Sequence, residues 1–231
     1  MIDELGLFET MRVVHGRVVE LEEHLERMLA SSRALSFPLP DAIAFRKAAE
    51  RAAKRVATLK EAALRCMWVA ERGTVWTLTA TSSPISETTL RRRRRGRAIT
   101  LAHSRALPEH KLTSYAPSII GLREAIAKNA DEGLFLDRDG RVLEGTATNV
   151  FAVDADRLIT APDNILPGIV RAWLLANAEV VLRAPTIEEL RAGSFFTSSL
   201  TTLAPIRFID GRACRAPGRI FTELRRRYLR Q

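Results

Sequence analysis

A chain of 231 residues can bury a sizeable core as one large domain or two small ones, and 46% hydrophobic with 27% charged residues is the balance of a folded globular protein. The net charge of +9 raises a nucleic-acid reading. The arginine runs at 91–95 and 225–227 lack interleaved aromatics and any helix-turn-helix, RNP or zinc-finger pattern, so a basic nucleic-acid-binding protein stands as a minor alternative. The apolar stretches at 133–136 and 169–178 are too short or too interrupted to span a bilayer, no secretory signal follows Met1, and Cys66 and Cys214 suit a reducing cytoplasm. Four scattered histidines (His15, His24, His103, His110) make no metal set.

In chain order, residues 5–14 alternate as a strand, His15-Gly16 turns the chain, and Val18-Val19 begins the return. Leu21, Leu25, Met28, Leu29 and Leu35 recur at helical spacing before Pro38 and Pro40. Asp41 is placed to cap a second helix reaching about Ala57, with Arg46, Lys47, Arg51, Lys54 and Arg55 on its wet face. Strands are predicted at 64–70 and 75–81 around a turn at Arg72-Gly73, the arginine run reads as a polar loop, and 98–102 returns to strand. Residues 104–117 are proline-punctuated and aperiodic, as a connector is. Beyond it come a helix at 117–129 and strands at 133–136, 142–143 and 149–153, the first two joined by an Asp139-Gly140 hairpin. A helix starting at Pro167 reaches about Ala176. Strands at 180–182, 194–197 and 206–209 precede a terminal helix from Arg219. There is no regular βαβ alternation, so the expected class is α+β with an N-terminal lobe at 1–104, a connector at 105–117 and a C-terminal lobe at 118–231.

Three segments carry chemistry. Only five of the 36 basic residues are lysines, and Lys111, in His110-Lys111-Leu112-Thr113-Ser114-Tyr115, lies outside any charged helical face. An amine condenses with an aldehyde to an imine, which a guanidinium does not do. Glu144-Gly145-Thr146-Ala147-Thr148-Asn149 sets a carboxylate at a strand end. Leu166-Pro167-Gly168-Ile169-Val170-Arg171 opens a helix whose first N–H groups suit an anion.

This order of segments, from Gly6-Leu7-Phe8-Glu9-Thr10 to Ile209-Asp210-Gly211, resembles the class IV (fold type IV) aminotransferases, which bind pyridoxal 5'-phosphate (PLP). The resemblance implies a two-lobed fold with the cofactor between the lobes, a homodimer, and Lys111 as the Schiff-base lysine. It implies Glu144 at the pyridine nitrogen with Asn149 supporting that wall, and Tyr115 near the phenolic oxygen. It assigns Arg27, Ser199 and the helix start at Ile169 and Val170 to the phosphate, and Phe8, Arg12 and Arg65 to the substrate side. By helical spacing alone Arg27 looks solvated. The implied activity is amino-acid transamination between an amino acid and a keto acid through a Cα carbanion. The alternative within the family is 4-amino-4-deoxychorismate lyase, toward which Phe8-Glu9-Thr10-Met11-Arg12 leans. Two departures are expected: only residues 1–5 precede the first motif, and the segment at 161–165 is short.

Overall fold

The computed structural model describes residues 4–71 and 75–230; the predicted Arg72-Gly73 turn lies outside them. The chain divides into two compact units: one runs to Ser86 and takes back His110–Tyr115, the other holds Glu87–Glu109 and continues from Ala116.

In the first unit, β1 (Glu4–Val14) turns at His15 and Gly16, both at positive φ, into the two-residue β2 (Arg17–Val18). Helices α1 (Leu21–Ala34) and α2 (Ala42–Lys54) follow, then β3 (Glu61–Glu71) and β4 (Val75–Ser83). The order is β2-β1-β3-β4, antiparallel throughout. Period-two alternation sends Leu7, Met11 and Val13 to one face, where they pack with Leu25, Met28 and Leu29 of α1 and Phe45 of α2. Asp41 caps α2 as expected, its carboxylate accepting from the Ala44 N–H at 2.6 Å. Because β2 reaches only Val13 and Val14, the first part of β1 keeps an open edge. Residues 111–113 use it: the Phe8 N–H donates to the Lys111 carbonyl and the Thr113 N–H to the Gly6 carbonyl, each at 2.9 Å.

The second unit starts with α3 (Glu87–Arg95) and β5 (Gly96–Thr100), so the arginine run is a helix and not the expected polar loop. Arginine is a good helix former, and Glu87 in the first turn with arginines in the last suits the helix dipole. Next come α4 (Ala116–Ala127), β6 (Glu132–Leu136), β7 (Val142–Gly145), β8 (Asn149–Asp154) and β9 (Arg157–Thr160). They are followed by α5 (Ile169–Asn177), β10 (Val180–Leu182), α6 (Ile187–Ala192), β11 (Ser194–Ser198), β12 (Thr202–Ile209), β13 (Arg212–Ala213) and α7 (Gly218–Tyr228). The sheet runs β10-β9-β8-β11-β12-β5-β6-β7, β13 pairs β12, and a further β7–β8 pairing closes six strands into a ring. Parallel pairing of β5 with both β12 and β6 is what ties residues 87–100 to this unit, rather than to the N-terminal lobe expected to end at 104. One face of the sheet packs Val150, Ala152, Phe196 and Ile206 with Leu190 of α6. The other packs Phe151, Phe195 and Leu203 with Leu174 of α5 and Phe221 of α7. Among the described residues no helix is long and apolar enough to cross a membrane.

Candidate active site

The first unit gathers Lys111, Tyr115, Phe8 and Arg65. Pairing of residues 111–113 with β1 lays the Lys111 Nζ 4.5 Å from the Phe8 ring centroid and 5.5 Å from that of Tyr115. The two rings meet edge to face at 5.3 Å. Arg65 lies opposite Thr10 in the β1–β3 register, on the face that carries Phe8, and its guanidinium sits 4.9 Å from the Phe8 ring. Phe8 is therefore a floor shared by an amine and a guanidinium, each attracted to the π-face. Arg12 shares this face two residues on and lies 3.6 Å from Glu61. His110, next to Lys111 in the chain, contacts the Ser31 hydroxyl at 3.1 Å.

Arg27 is not solvated as helical spacing suggested. Its Nε and Nη2 donate to both oxygens of Glu9, at 2.8 and 2.5 Å, and His24 Nδ1 lies 2.6 Å from the same carboxylate. The sequence reading missed this triad, because Glu9 sits in the apolar phase of β1 and the His24 and Arg27 spacing resembles any helical polar pair. Burial works to raise the Glu9 pKa, but the charges and hydrogen bonds of Arg27 and His24 outweigh it and hold the carboxyl at about 2. With the folded pKa below the ordinary 4.5, Glu9 contributes stability above about pH 4.5 and loses it as pH falls toward 2. A shift of that size is worth on the order of 3 kcal/mol. Urea melts at pH 6 and pH 3 should show about 2 kcal/mol of that loss in the parent, since pH 3 still lies above the folded pKa, and a much smaller one in Glu9→Gln; equal losses remove Glu9 as the cause. The neighbouring Cys66 thiol is pushed up to about 12 by burial and by the Glu9 charge, so it is chemically quiet.

In the second unit, the residue before the last of β7 is Glu144, which is 4% exposed. One carboxylate oxygen accepts from Arg105 Nη2 at 2.6 Å, the other from the Leu166 N–H at 2.9 Å. Asn149, opposite Glu144 in the β7–β8 register, donates to the Leu166 carbonyl at 2.9 Å. The 166–168 segment is thus held from both sides. Helix α5 starts at Ile169, two residues later than expected, with Gly168 as its extended N-cap. A side chain at 168 is excluded, since a Cβ there lies 2.0 Å from Asn149 Oδ1. The N–H groups of Ile169 and Val170 have no carbonyl to reach within the helix, so this end suits an anion.

Arg171 of the first turn is buried and donates to the Ala161 carbonyl at 2.8 Å. Its pKa is lowered by burial, against the favourable charge of Glu144. Ser199 lies half-buried just past β11, and at the end of that strand the Thr197 hydroxyl is buried with no partner among the described residues. A cavity of about 1030 Å³ reaches Glu144 and Arg105 but not Asn149, Ile169, Val170 or Ser199. The second unit therefore brings together Glu144, Asn149 and the start of α5. It adds Arg105 and Arg171, which sequence reasoning did not single out. Arg105 lay in a connector with no periodicity to mark it.

Taken separately, the first unit carries an amine on an aromatic floor, and the second a charge-paired carboxylate, a helix N-terminus and a buried hydroxyl with no partner among the described residues, each a donor type that a phosphorylated pyridine aldehyde uses. Comparison with known proteins points the same way. Residues 6–209 match the family model described as amino-transferase class IV. A bifunctional aminodeoxychorismate lyase / D-amino acid transaminase of Mycobacterium tuberculosis is 34% identical, over 95% of this chain and 87% of that protein. The structure of a hypothetical aminotransferase from Mycobacterium tuberculosis in its PLP-bound form superposes with a TM-score of 0.84 at 32% identity, covering 96% of this chain and 87% of that one. A putative 4-amino-4-deoxychorismate lyase from Legionella pneumophila superposes with a TM-score of 0.86 at 26% identity, over 97% and 90%.

Proposed function

Because the chain belongs to the class IV aminotransferases, we propose that it is a PLP-dependent amino-acid transaminase, a cytoplasmic homodimer that moves an amino group between an amino acid and a keto acid. The observation that carries this reading is Lys111, an amine seated against the Phe8 and Tyr115 rings, which the sequence resemblance assigns as the Schiff-base lysine. Bound PLP supplies an aldehyde and an electron-withdrawing ring. Lys111 would supply the amine that holds the aldehyde carbon and would carry a proton at the substrate Cα. Glu144 holds a proton on the ring nitrogen; two hydrogen bonds fix its carboxylate in place. Asn149 backs that wall and Tyr115 takes the phenolic oxygen. Arg27, Ser199 and the Ile169 and Val170 N–H groups take the phosphate. Phe8, Arg12 and Arg65 face the substrate, with Arg65 on its carboxylate.

A second reading, 4-amino-4-deoxychorismate lyase, is favoured by Phe8-Glu9-Thr10-Met11-Arg12 and by the two relatives whose names carry that activity. It uses the same amine and differs in releasing pyruvate from the substrate. Addition of PLP to the purified protein should give a visible absorption band, and borohydride reduction should leave the pyridoxyl group on Lys111. Absence of the band, or a label on another lysine, overturns both readings. Keto-acid formation from amino acids, measured beside pyruvate release from aminodeoxychorismate, decides between them. Sedimentation of the active species as a monomer removes the dimer.

A further inference from the structure

The arginine run, read from sequence as a solvated loop, has two inward members. Arg92 is 3% exposed, in the interior of the second unit. Its Nε and Nη2 donate to the Asp131 carbonyl at 3.2 and 2.5 Å, and its Nη1 reaches Thr201 Oγ1 at 3.5 Å and Glu132 Oε2 at 3.4 Å. Arg93 donates through Nε and Nη2 to the Leu200 carbonyl at 2.8 and 2.5 Å. Glu132 is fully buried, and its two oxygens accept the hydroxyls of Thr146 and Thr148, the latter at 3.0 Å. Between those buried threonines Ala147 is exposed, so the 146–148 turn is fastened by its two hydroxyls. Gly145 is required there: a Cβ would lie 2.3 Å from Thr148 Oγ1 and 2.9 Å from Glu132 Cγ.

We infer that Arg92, Arg93 and Glu132 are positioning residues that set the two segments of the second unit assigned to the cofactor, 144–149 through the threonine hydroxyls and 198–201 through Leu200 and Thr201. The inference rests on the proposed function for its consequence but not for its geometry. A neutral acceptor could satisfy two hydroxyls, whereas an ionised carboxylate in the interior is costly unless it is paired. Arg92 is the partner that makes a charged acceptor tenable, and a charged acceptor binds hydroxyl donors about twice as strongly as a neutral one. One guanidinium thereby fixes the β6 entrance at Asp131, the 146–148 turn through Glu132, and the turn after β11 at Thr201. Of the other arginines of the run, Arg94 is exposed, and Arg91, exposed as well, meets the Asp131 carboxylate through its Nε at 3.2 Å.

Three variants separate positioning from mere stability: Glu132→Gln, Thr146→Val and its conservative counterpart Thr146→Ser, with Arg94→Gln as an outward control. Each is measured for amide hydrogen exchange, PLP affinity, kcat and KM. Glu132→Gln and Thr146→Val are expected to raise exchange at 144–149 by at least about tenfold and weaken PLP by about 10–100-fold, the range that loss of a group orienting a metal ligand costs. In these two variants kcat falls, while KM for the amino donor at saturating PLP stays within about twofold. Thr146→Ser restores both readouts, and Arg94→Gln matches the parent. Even if Glu132→Gln fails to fold, the Thr146 pair decides. Wild-type exchange and PLP affinity in Thr146→Val overturn the inference, as does a loss that Thr146→Ser does not repair. A parent that takes up no PLP overturns the proposed function instead, and the exchange data then judge the positioning alone.

Discussion

Lys111→Arg is expected to be as inactive as Lys111→Ala, with turnover reduced by on the order of 10⁴-fold or more while the fold is retained. The arginine variant is the informative one. It keeps the positive charge over the Phe8 ring, and so keeps the cation–π attraction of about 0.5–1 kcal/mol that a partly exposed pair contributes. What it loses is a nucleophilic amine, because a guanidinium stays protonated and does not condense with an aldehyde. Thermal melts of both variants should stay close to the parent. The main-chain bonds that seat residues 111–113 on β1 involve the Lys111 carbonyl and the Thr113 N–H, not the lysine side chain. Turnover of an amino donor to its keto acid, with the visible band after PLP addition, is the measurement. Turnover retained by the arginine variant would show that Lys111 acts only as a cation and would remove it from the chemistry.

The parts of this arrangement legible in the sequence are those set by local periodicity and by the order of motifs. Leu7, Met11 and Val13 read directly as one face of a strand, and Leu21, Leu25, Met28 and Leu29 as one face of a helix, because burial imposes those periods. What stayed hidden was pairing between distant residues. Glu9 looks like a polar residue out of phase in an apolar strand until α1 brings Arg27 and His24 to it. The arginine run reads as solvated because charge patterning gives no sign of a buried carboxylate 40 residues on; only the packing of α3 reveals that Arg92 reaches Glu132. The division near Ser86 was likewise invisible, since it follows from parallel pairing of β5 with β6 and β12 and not from any linker composition. Short elements such as β9 and α6 carry too few residues to show a period, although Thr186 and Glu189 form a capping box that could have marked the start of α6.

Glu144→Gln is expected to lower kcat by about 10²–10³-fold, or roughly 3–4 kcal/mol of barrier. Two effects converge. An amide is a poorer partner than a carboxylate for a protonated ring nitrogen, so the substrate Cα proton becomes harder to remove. The buried side chain also has donors on both sides, Arg105 Nη2 at 2.6 Å and the Leu166 N–H at 2.9 Å. A carboxylate accepts from both, whereas glutamine offers one acceptor and turns its NH₂ toward the other donor. If the NH₂ faces Leu166, the segment leading to Gly168 and α5 loosens, and PLP affinity falls along with kcat. If it faces Arg105, that guanidinium is left short of an acceptor in a poorly solvated place. Arg105→Gln distinguishes the two effects: it leaves the carboxylate and the Leu166 contact in place and removes the paired charge, together with the Arg105 hydrogen bonds to Glu144 and to the Pro108 carbonyl. Its kcat should fall less than in Glu144→Gln, with PLP affinity near the parent's. Glu144→Asp, which keeps the charge on a shorter arm, should recover part of the rate while remaining weak in PLP binding. Near-parental turnover in Glu144→Gln would remove Glu144 as the nitrogen partner and leave it an anchor for Leu166 alone.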